Sequence, residues 1–177
     1  DVYDEQLKKY GKDIFEIREK FIDELNPVIN RIHSNLSDGK ESLKITYEKC
    51  DIKDLRKEEI KAKTTLSGPH RDDIAFYLND TDLRKFGSQG QQRTAALSLK
   101  LAEIELVKEK INDCPVLLLD DVLSELDTSR QNKLLTVIND IQTIITCTGV
   151  DDFINNNFRI AKTMFVKEGN VTLVEAT

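Results

Sequence analysis

Most of the side chains capable of chemistry fall in two short stretches. The first is KFGSQGQQR, Lys85 to Arg93, a polar turn with two glycines that opens directly into an apolar helical pattern. Ser88 and Gln91 stand three apart, the spacing of a capping box. In that device the serine oxygen accepts from the backbone N–H three residues on, and the glutamine reaches back. A helix start also presents free N–H groups and the positive end of the helix dipole, which suits an anion such as phosphate. Gly87 and Gly90 allow a ligand to approach the backbone closely. An ordinary capped core helix would show many of the same features, and the turn alone leaves both readings open.

The second stretch is VLLLDDVLSELD, Val116 to Asp127. An apolar run ending in acids reads as a buried parallel strand with Asp120 and Asp121 at its carboxyl end, where open α/β sheets place their ligands. One carboxylate there can hold Mg²⁺ through its waters, and its neighbour can orient or deprotonate an attacking water. Equally, the pair can simply end a strand and cap a turn. A third stretch, SGPHRDD from Ser67 to Asp73, offers His70 and Arg71 to a nucleotide or to DNA, with Asp72 and Asp73 suited to pairing with basic residues. It also reads as a plain turn on Gly68-Pro69 with a hydrogen-bonded histidine and surface ion pairs.

The elements that must position these groups follow from periodicity. Leu7, Tyr10, Ile14, Ile17, Phe21, Leu25, Val28 and Ile32 recur at helical steps and predict a long helix over residues 4–36, with a kink or break at Asn26-Pro27. SLKITYEK alternates like a strand, and residues 54–63 form a short charged helix or linker. IAFYLNDTDLRKF reads as two strands around Asn79-Asp80, followed by a helix from Ser88 to Ile111. Asp127 is a good N-cap for a helix reaching Asn139, QTIITCT is a second buried strand, and TMFVKEGNVTLVEA closes as a hairpin at Glu168-Gly169-Asn170. Strand, helix and strand in this order predict α/β layering.

Composition narrows the function classes. The 177 residues are 39% hydrophobic and 33% charged with a net charge of −6, which argues against a generally basic nucleic-acid coat but permits a local basic patch. Three cysteines (Cys50, Cys114, Cys147) without C-x-x-C spacing, and only two histidines, argue against a zinc site, and the odd cysteine count fits a reducing compartment. A Ser-His-Asp arrangement fails as well, since His33 lies on the long helix and His70 has no evident nucleophile partner. No apolar run approaches the roughly 20 residues of a membrane span and no signal peptide is visible, so the expected location is cytoplasmic, with no membrane partner. The chain begins at Asp1 rather than Met, which fits a piece of something longer.

A Ser-x-Gly-Gln turn opening a helix, then an apolar strand with paired acids, then Ser-Glu-Leu-Asp, resembles the second half of an ABC-type ATPase head. Ser88 to Gln92 then correspond to its signature loop, Val116 to Asp120 to its Walker B strand, and Ser124 to Asp127 to its D-loop. With VYDEQL near the start and SGPHRDD added, the chain resembles the RecF family of the SMC-like branch from its first residues to its last hairpin. The fold class implied is α/β, the C-terminal part of an ABC-type (SMC-like) P-loop ATPase head with a helical arm segment. Residues 1–62 would be arm and return into the head, and residues 63–177 the C-terminal part of the head.

The resemblance also implies roles. Ser88, Gln89, Gly90 and Gln91 would bind, in trans, the γ-phosphate of ATP held by a partner subunit. Asp120 would be the acid associated with Mg²⁺. Asp121 stands where many ABC ATPases have a catalytic Glu, and its shorter reach implies slow hydrolysis. Thr148 takes the place of the usual switch histidine, and Ser124 and Asp127 would lie at the dimer seam. His70 and Arg71 belong to a characteristic motif without individual roles. The implied whole is an ATP-dependent homodimer that binds single- and double-stranded DNA mainly through the backbone. It would work with RecR, and with RecO and RecA in the pathway, to load recombinase at gaps in recombinational repair and replication restart.

One part is missing. A P-loop reads G-x-x-x-x-G-K-[ST], and the only Gly-Lys pairs here, Gly11-Lys12 and Gly39-Lys40, lack both the following Ser or Thr and the earlier Gly. The expectation is a C-terminal fragment whose Walker A lies ahead of Asp1 and which alone binds ATP poorly. Three rivals stay open: the head of another ABC or SMC ATPase, a non-catalytic interaction module, and a Mg²⁺-dependent phosphohydrolase built on Asp120, Asp121 and Asp127. The short arm and Thr148 weigh against the first.

Overall fold

The computed structural model describes residues 2–148 and 160–174. The chain divides into two compact units, with the boundary between Pro115 and Val116. The first contains α1 (Val2–Leu36), β1 (Leu43–Glu48), α2 (Arg56–Ala62), a 3-10 turn (Pro69–Arg71), β2 (Asp73–Leu78), β3 (Thr81–Asp82), α3 (Leu83–Phe86) and α4 (Gln89–Ile111).

The core of this unit lies where α1 meets α4 and β1. From Leu25 onward α1 buries Leu25, Ile29, Ile32 and Leu36; Leu25 and Ile32 match the sequence pattern, while Ile29 is buried in place of the expected Val28. Nearer its start the pattern misleads. Tyr10, Ile14, Ile17 and Phe21 are exposed, and the buried positions there are Gly11, Phe15 and Ile22. Both sets have helical spacing, so periodicity alone could not choose between them.

Of the kink or break expected at Asn26-Pro27, the break is absent: α1 runs through Pro27. Proline removes one helical hydrogen bond, but the neighbouring Asn26 side chain docks on β1. It donates to the Ile45 carbonyl and accepts from the Ile45 N–H, both at 2.9 Å. One turn on, Asn30 Oδ1 accepts from the Leu43 N–H and the Ser42 hydroxyl, each at 3.1 Å. β1 is an outer strand of a sheet ordered β1-β2-β3, antiparallel throughout. The two asparagines therefore occupy an edge that would otherwise be open to another strand.

β2 turns into β3 through Asn79 and Asp80, at φ 47° and 63°, the paired left-handed conformation of a tight hairpin. The second strand is shorter than expected, because Leu83–Phe86 winds into α3 with Asp82 accepting from the Lys85 N–H. α4 then runs antiparallel to α1. Glu24 pairs with Lys110 at 2.6 Å, Arg31 with Glu105, and His33 with Ser98 at 3.0 Å, so partners advance on one helix as they recede on the other. Leu97, Leu101, Ala102 and Leu106 form the buried face of α4.

The second unit contains β4 (Leu117–Asp120), a 3-10 turn (Leu123–Glu125), α5 (Thr128–Val137), β5 (Thr143–Thr146), β6 (Thr163–Lys167) and β7 (Asn170–Val174). β4 and β5 are parallel, in register from Leu117↔Thr143 to Asp120↔Thr146, with α5 as the crossover. Among the described residues of this unit, Leu117, Leu119, Leu123, Leu134, Leu135 and Ile138 are buried. Neither strand expected to be buried is covered on both faces: Leu118 of β4 is 69% exposed, and β5 buries none of its residues fully, with Ile144 56% exposed. β6 and β7 pair antiparallel across Glu168 and Gly169, both at positive φ, with Asn170 already in the strand. Among the described residues, no helix is long and apolar enough to cross a membrane.

Candidate functional site

The Ser88 mouth is built as its spacing predicts. Ser88 is the N-cap of α4, and its Oγ accepts from the Gln91 N–H at 3.3 Å. Gln91 Oε1 accepts in return from the Ser88 N–H at 2.9 Å and from its hydroxyl at 3.1 Å. Ser88 and Gln89 are exposed, Gly90 and Gln91 half-buried. Gly87 has a different task from the one expected. A Cβ there would stand 2.6 Å from the Leu83 carbonyl oxygen, so the missing side chain makes room for α3 rather than for a ligand.

Behind the mouth runs a chain of polar contacts that the sequence did not reveal. Gln91 Nε2 donates to Glu41 Oε1 at 2.9 Å, and Glu41 Oε2 lies 3.2 Å from His33 Nε2. His33, fully buried, meets Ser98 Oγ through Nδ1. Ser98 donates to the Thr94 carbonyl at 2.8 Å, and Thr94 Oγ1 donates to the Gly90 carbonyl at 2.7 Å. The chain thus leaves the mouth at Gln91 and returns to it at Gly90.

The acidic strand end is held by other means. Asp120 is exposed and accepts at Oδ1 from the Thr146 hydroxyl, its neighbour across the parallel ladder. Asp121 has φ 52°, in the left-handed region that a non-glycine residue enters at a cost. Its N–H donates to the Thr146 carbonyl at 3.2 Å and to Thr146 Oγ1 at 3.1 Å. Ser124 Oγ donates to the Asp121 carbonyl at 2.8 Å, and Gln131 Nε2 to the Leu123 carbonyl at 2.8 Å, which together fasten the turn. Asp127 caps α5 by accepting from the Arg130 N–H at 2.9 Å and pairs with that residue's guanidinium. Thr148 is exposed beyond the end of β5. The threonine beside Asp120 is therefore Thr146, which strand register would have revealed but local pattern could not.

SGPHRDD folds around Asp72, whose side chain is only 4% exposed. Its carboxylate accepts from Arg18 at 2.5 Å, from the Tyr47 hydroxyl and from the Cys50 N–H at 2.9 Å. Burial pushes the Asp72 carboxyl up, yet the hydrogen bonds from Tyr47, Cys50 and Arg18 bring it below the ordinary carboxylate value. Burial, with the bond to Asp72, pushes the Tyr47 phenol up to about 12. Arg18 also donates to the Pro69 carbonyl at 2.5 Å, and Gly11 lets α1 approach Pro69 and Ile52 closely. His70 and Arg71 are exposed, and both contact the Thr65 carbonyl, Arg71 Nη2 at 2.8 Å. Asp73 pairs with Arg84 at 2.9 Å.

No family model matches the chain. It is 55% identical over 179 residues to the DNA replication and repair protein RecF of Lachnospira eligens, spanning 97% of this chain and 49% of that protein. To the RecF of Agathobacter rectalis it is 50% identical over 182 residues, spanning 98% and 50%. The chain thus spans about half the length of the curated relatives it matches. A solved structure of the recombination mediator protein RecF with ATP, from the RecFOR pathway, superposes with TM-score 0.79 at 29% identity, over 98% of this chain and 50% of that one. An SMC ATPase structure superposes at TM-score 0.59 and 15% identity, over 92% and 89%, a likeness of fold alone. The α/β fold is that of an ABC-type ATPase head segment.

Proposed function

Because the chain belongs to the RecF family along about half the length of its curated relatives, we propose that it supplies one half of a shared ATP site. The Ser88 mouth serves as the signature loop, meeting the γ-phosphate of a nucleotide held mainly by a second subunit. The observation that carries this is the exposed capping box of Ser88 and Gln91 at the start of a 23-residue helix, a preset anion-facing terminus. No G-x-x-x-x-G-K-[ST] occurs in these residues, so the loop that wraps the phosphates comes from outside them. A relative of known structure that holds ATP supports the choice of nucleotide.

The roles divide by unit. Ser88 donates to a phosphate oxygen, and Gln89, Gly90 and Gln91 shape the turn around it. Asp120 suits an indirect hold on Mg²⁺, since Thr146 takes one carboxylate oxygen. On this reading the ion is carried mostly by nucleotide oxygens and water. When bound, Mg²⁺ would neutralise charge on the phosphates. Asp121 orients the attacking water, Ser124 and Asp127 face the dimer seam, and Thr148 stands at the switch position without a titratable ring. ATP then bridges two copies, and hydrolysis releases them. Arg71 bonds to Thr64 and Thr65, and His70 Nε2 lies against the Thr65 carbonyl, which favours a structural part for them over contact with nucleotide.

The whole protein, on this reading, is a slow ATPase that binds DNA through backbone phosphates, with affinity falling as salt rises. It acts with RecR, RecO and RecA in gap repair. The test is Ser88→Arg in the full-length protein. Nucleotide-driven self-association should disappear while ATP binding by the monomer persists. Unchanged self-association would sink the shared-site reading.

A further inference from the structure

We propose that Glu41 and His33 are positioning residues for the Ser88 mouth, setting the orientation of the Gln91 amide from inside the core. The inference rests on the reading of that mouth as a phosphate contact. Glu41 lies in the connection between α1 and β1, fifty residues from Gln91 in the chain. An ionised carboxylate can only accept hydrogen bonds, so Glu41 Oε1 must face the amide nitrogen of Gln91. That choice turns Gln91 Oε1 toward Ser88, where it receives both the backbone N–H and the hydroxyl. With the amide reversed, its NH₂ would point at those two donors and the capping box would open.

The relay extends inward. His33 Nε2 lies 3.2 Å from the second Glu41 oxygen and His33 Nδ1 3.0 Å from Ser98 Oγ, and Ser98 Oγ reaches the Thr94 carbonyl at 2.8 Å. The buried ring holds Glu41, Glu41 fixes Gln91, and Gln91 fixes Ser88. The Ser88 oxygen stays in place because it accepts from the Gln91 N–H, while its hydroxyl proton is free to turn from Gln91 Oε1 to an arriving phosphate oxygen. A mouth preset in this way loses little freedom on binding.

The test uses the full-length protein and compares Glu41→Ala, Glu41→Gln and Ser88→Arg. Glu41→Ala should raise the ATP concentration for half-maximal self-association roughly tenfold, the effect of one lost charge-assisted hydrogen bond, with ATP binding by the monomer unchanged. Glu41→Gln keeps an oxygen for Gln91 Nε2 and should recover most of the loss. An unchanged response in Glu41→Ala, or no recovery in Glu41→Gln, overturns the relay. If Ser88→Arg also leaves self-association intact, the shared-site reading has failed instead. A second readout is independent of that reading. In the full-length protein labelled with ¹⁵N-histidine, His33→Gln identifies the His33 ring signals by their loss. Movement of those signals in Glu41→Ala supports the contact between the ring and Glu41; unmoved signals overturn it.

Discussion

The Ser88 mouth and the Asp120–Asp121 strand end both present polar groups at the end of a regular element, yet they are held in opposite ways. At the mouth the backbone is ordinary, with Ser88 at φ −64°, and precision comes from side chains that reach across to α1 and the connection that follows it. At the strand end the work falls to the backbone: Asp121 sits at φ 52° and one neighbour, Thr146, fastens both acids. A side-chain relay can be lost at any link and its loss spreads. A strained peptide held by adjacent strands is local, and its failure should stay local.

The largest effect should come from cutting a side-chain hub in the first unit. Asp72→Ala leaves Arg18, Tyr47 and the Cys50 N–H without their common acceptor and should cost about 3 kcal/mol by chemical denaturation. The pH dependence has a fixed sign. The lowered Asp72 value gives stability that is complete above its ordinary 3.8 and is lost as pH falls through the folded value. Tyr47, raised from 10.0 to about 12, contributes below 10.0 and loses that contribution as pH rises through about 12. The gap between wild type and Asp72→Ala should therefore be flat through neutral pH and narrow in acid. A gap that widens in acid would contradict the clamp.

Next comes Gly87→Ala. Its Cβ would press on the Leu83 carbonyl, so either α3 or the mouth must shift, at about 2 kcal/mol. A crystal structure of the variant should show Ser88 displaced; an undisturbed mouth would mean that α3 yields instead. Smallest is Thr146→Val, which keeps shape and removes one hydroxyl. It should cost about 1 kcal/mol and leave amide exchange in the first unit untouched. If Thr146→Val costs as much as Asp72→Ala, the contrast between the regions fails.

Legibility in the sequence followed the distance between partners. The capping box, the Asp127 cap and the Asn79-Asp80 turn join residues within a few positions, and each formed as the residue types required. The partners of the site lie far off: Gln91 with Glu41, Asp120 with Thr146, Arg18 with Asp72. No local pattern encodes such pairings. Choosing the buried face of α1 failed for a related reason, because Tyr10, Ile14, Ile17 and Phe21 compete with Phe15 and Ile22 at equal spacing, and only the packed partner decides. At Pro27 the local pattern likewise allows a break, and the Asn26 bonds to Ile45 that anchor this part of α1 join residues 19 apart.

The left-handed backbone at Asp121 also bears on which acid this position can carry. Aspartate and asparagine enter that region more readily than longer or branched side chains, because a short polar group can bond to nearby backbone there. Lengthening the acid to Glu would extend its reach but work against the peptide torsion. The substitution space at this position is narrowed by a torsion angle before any chemistry is considered.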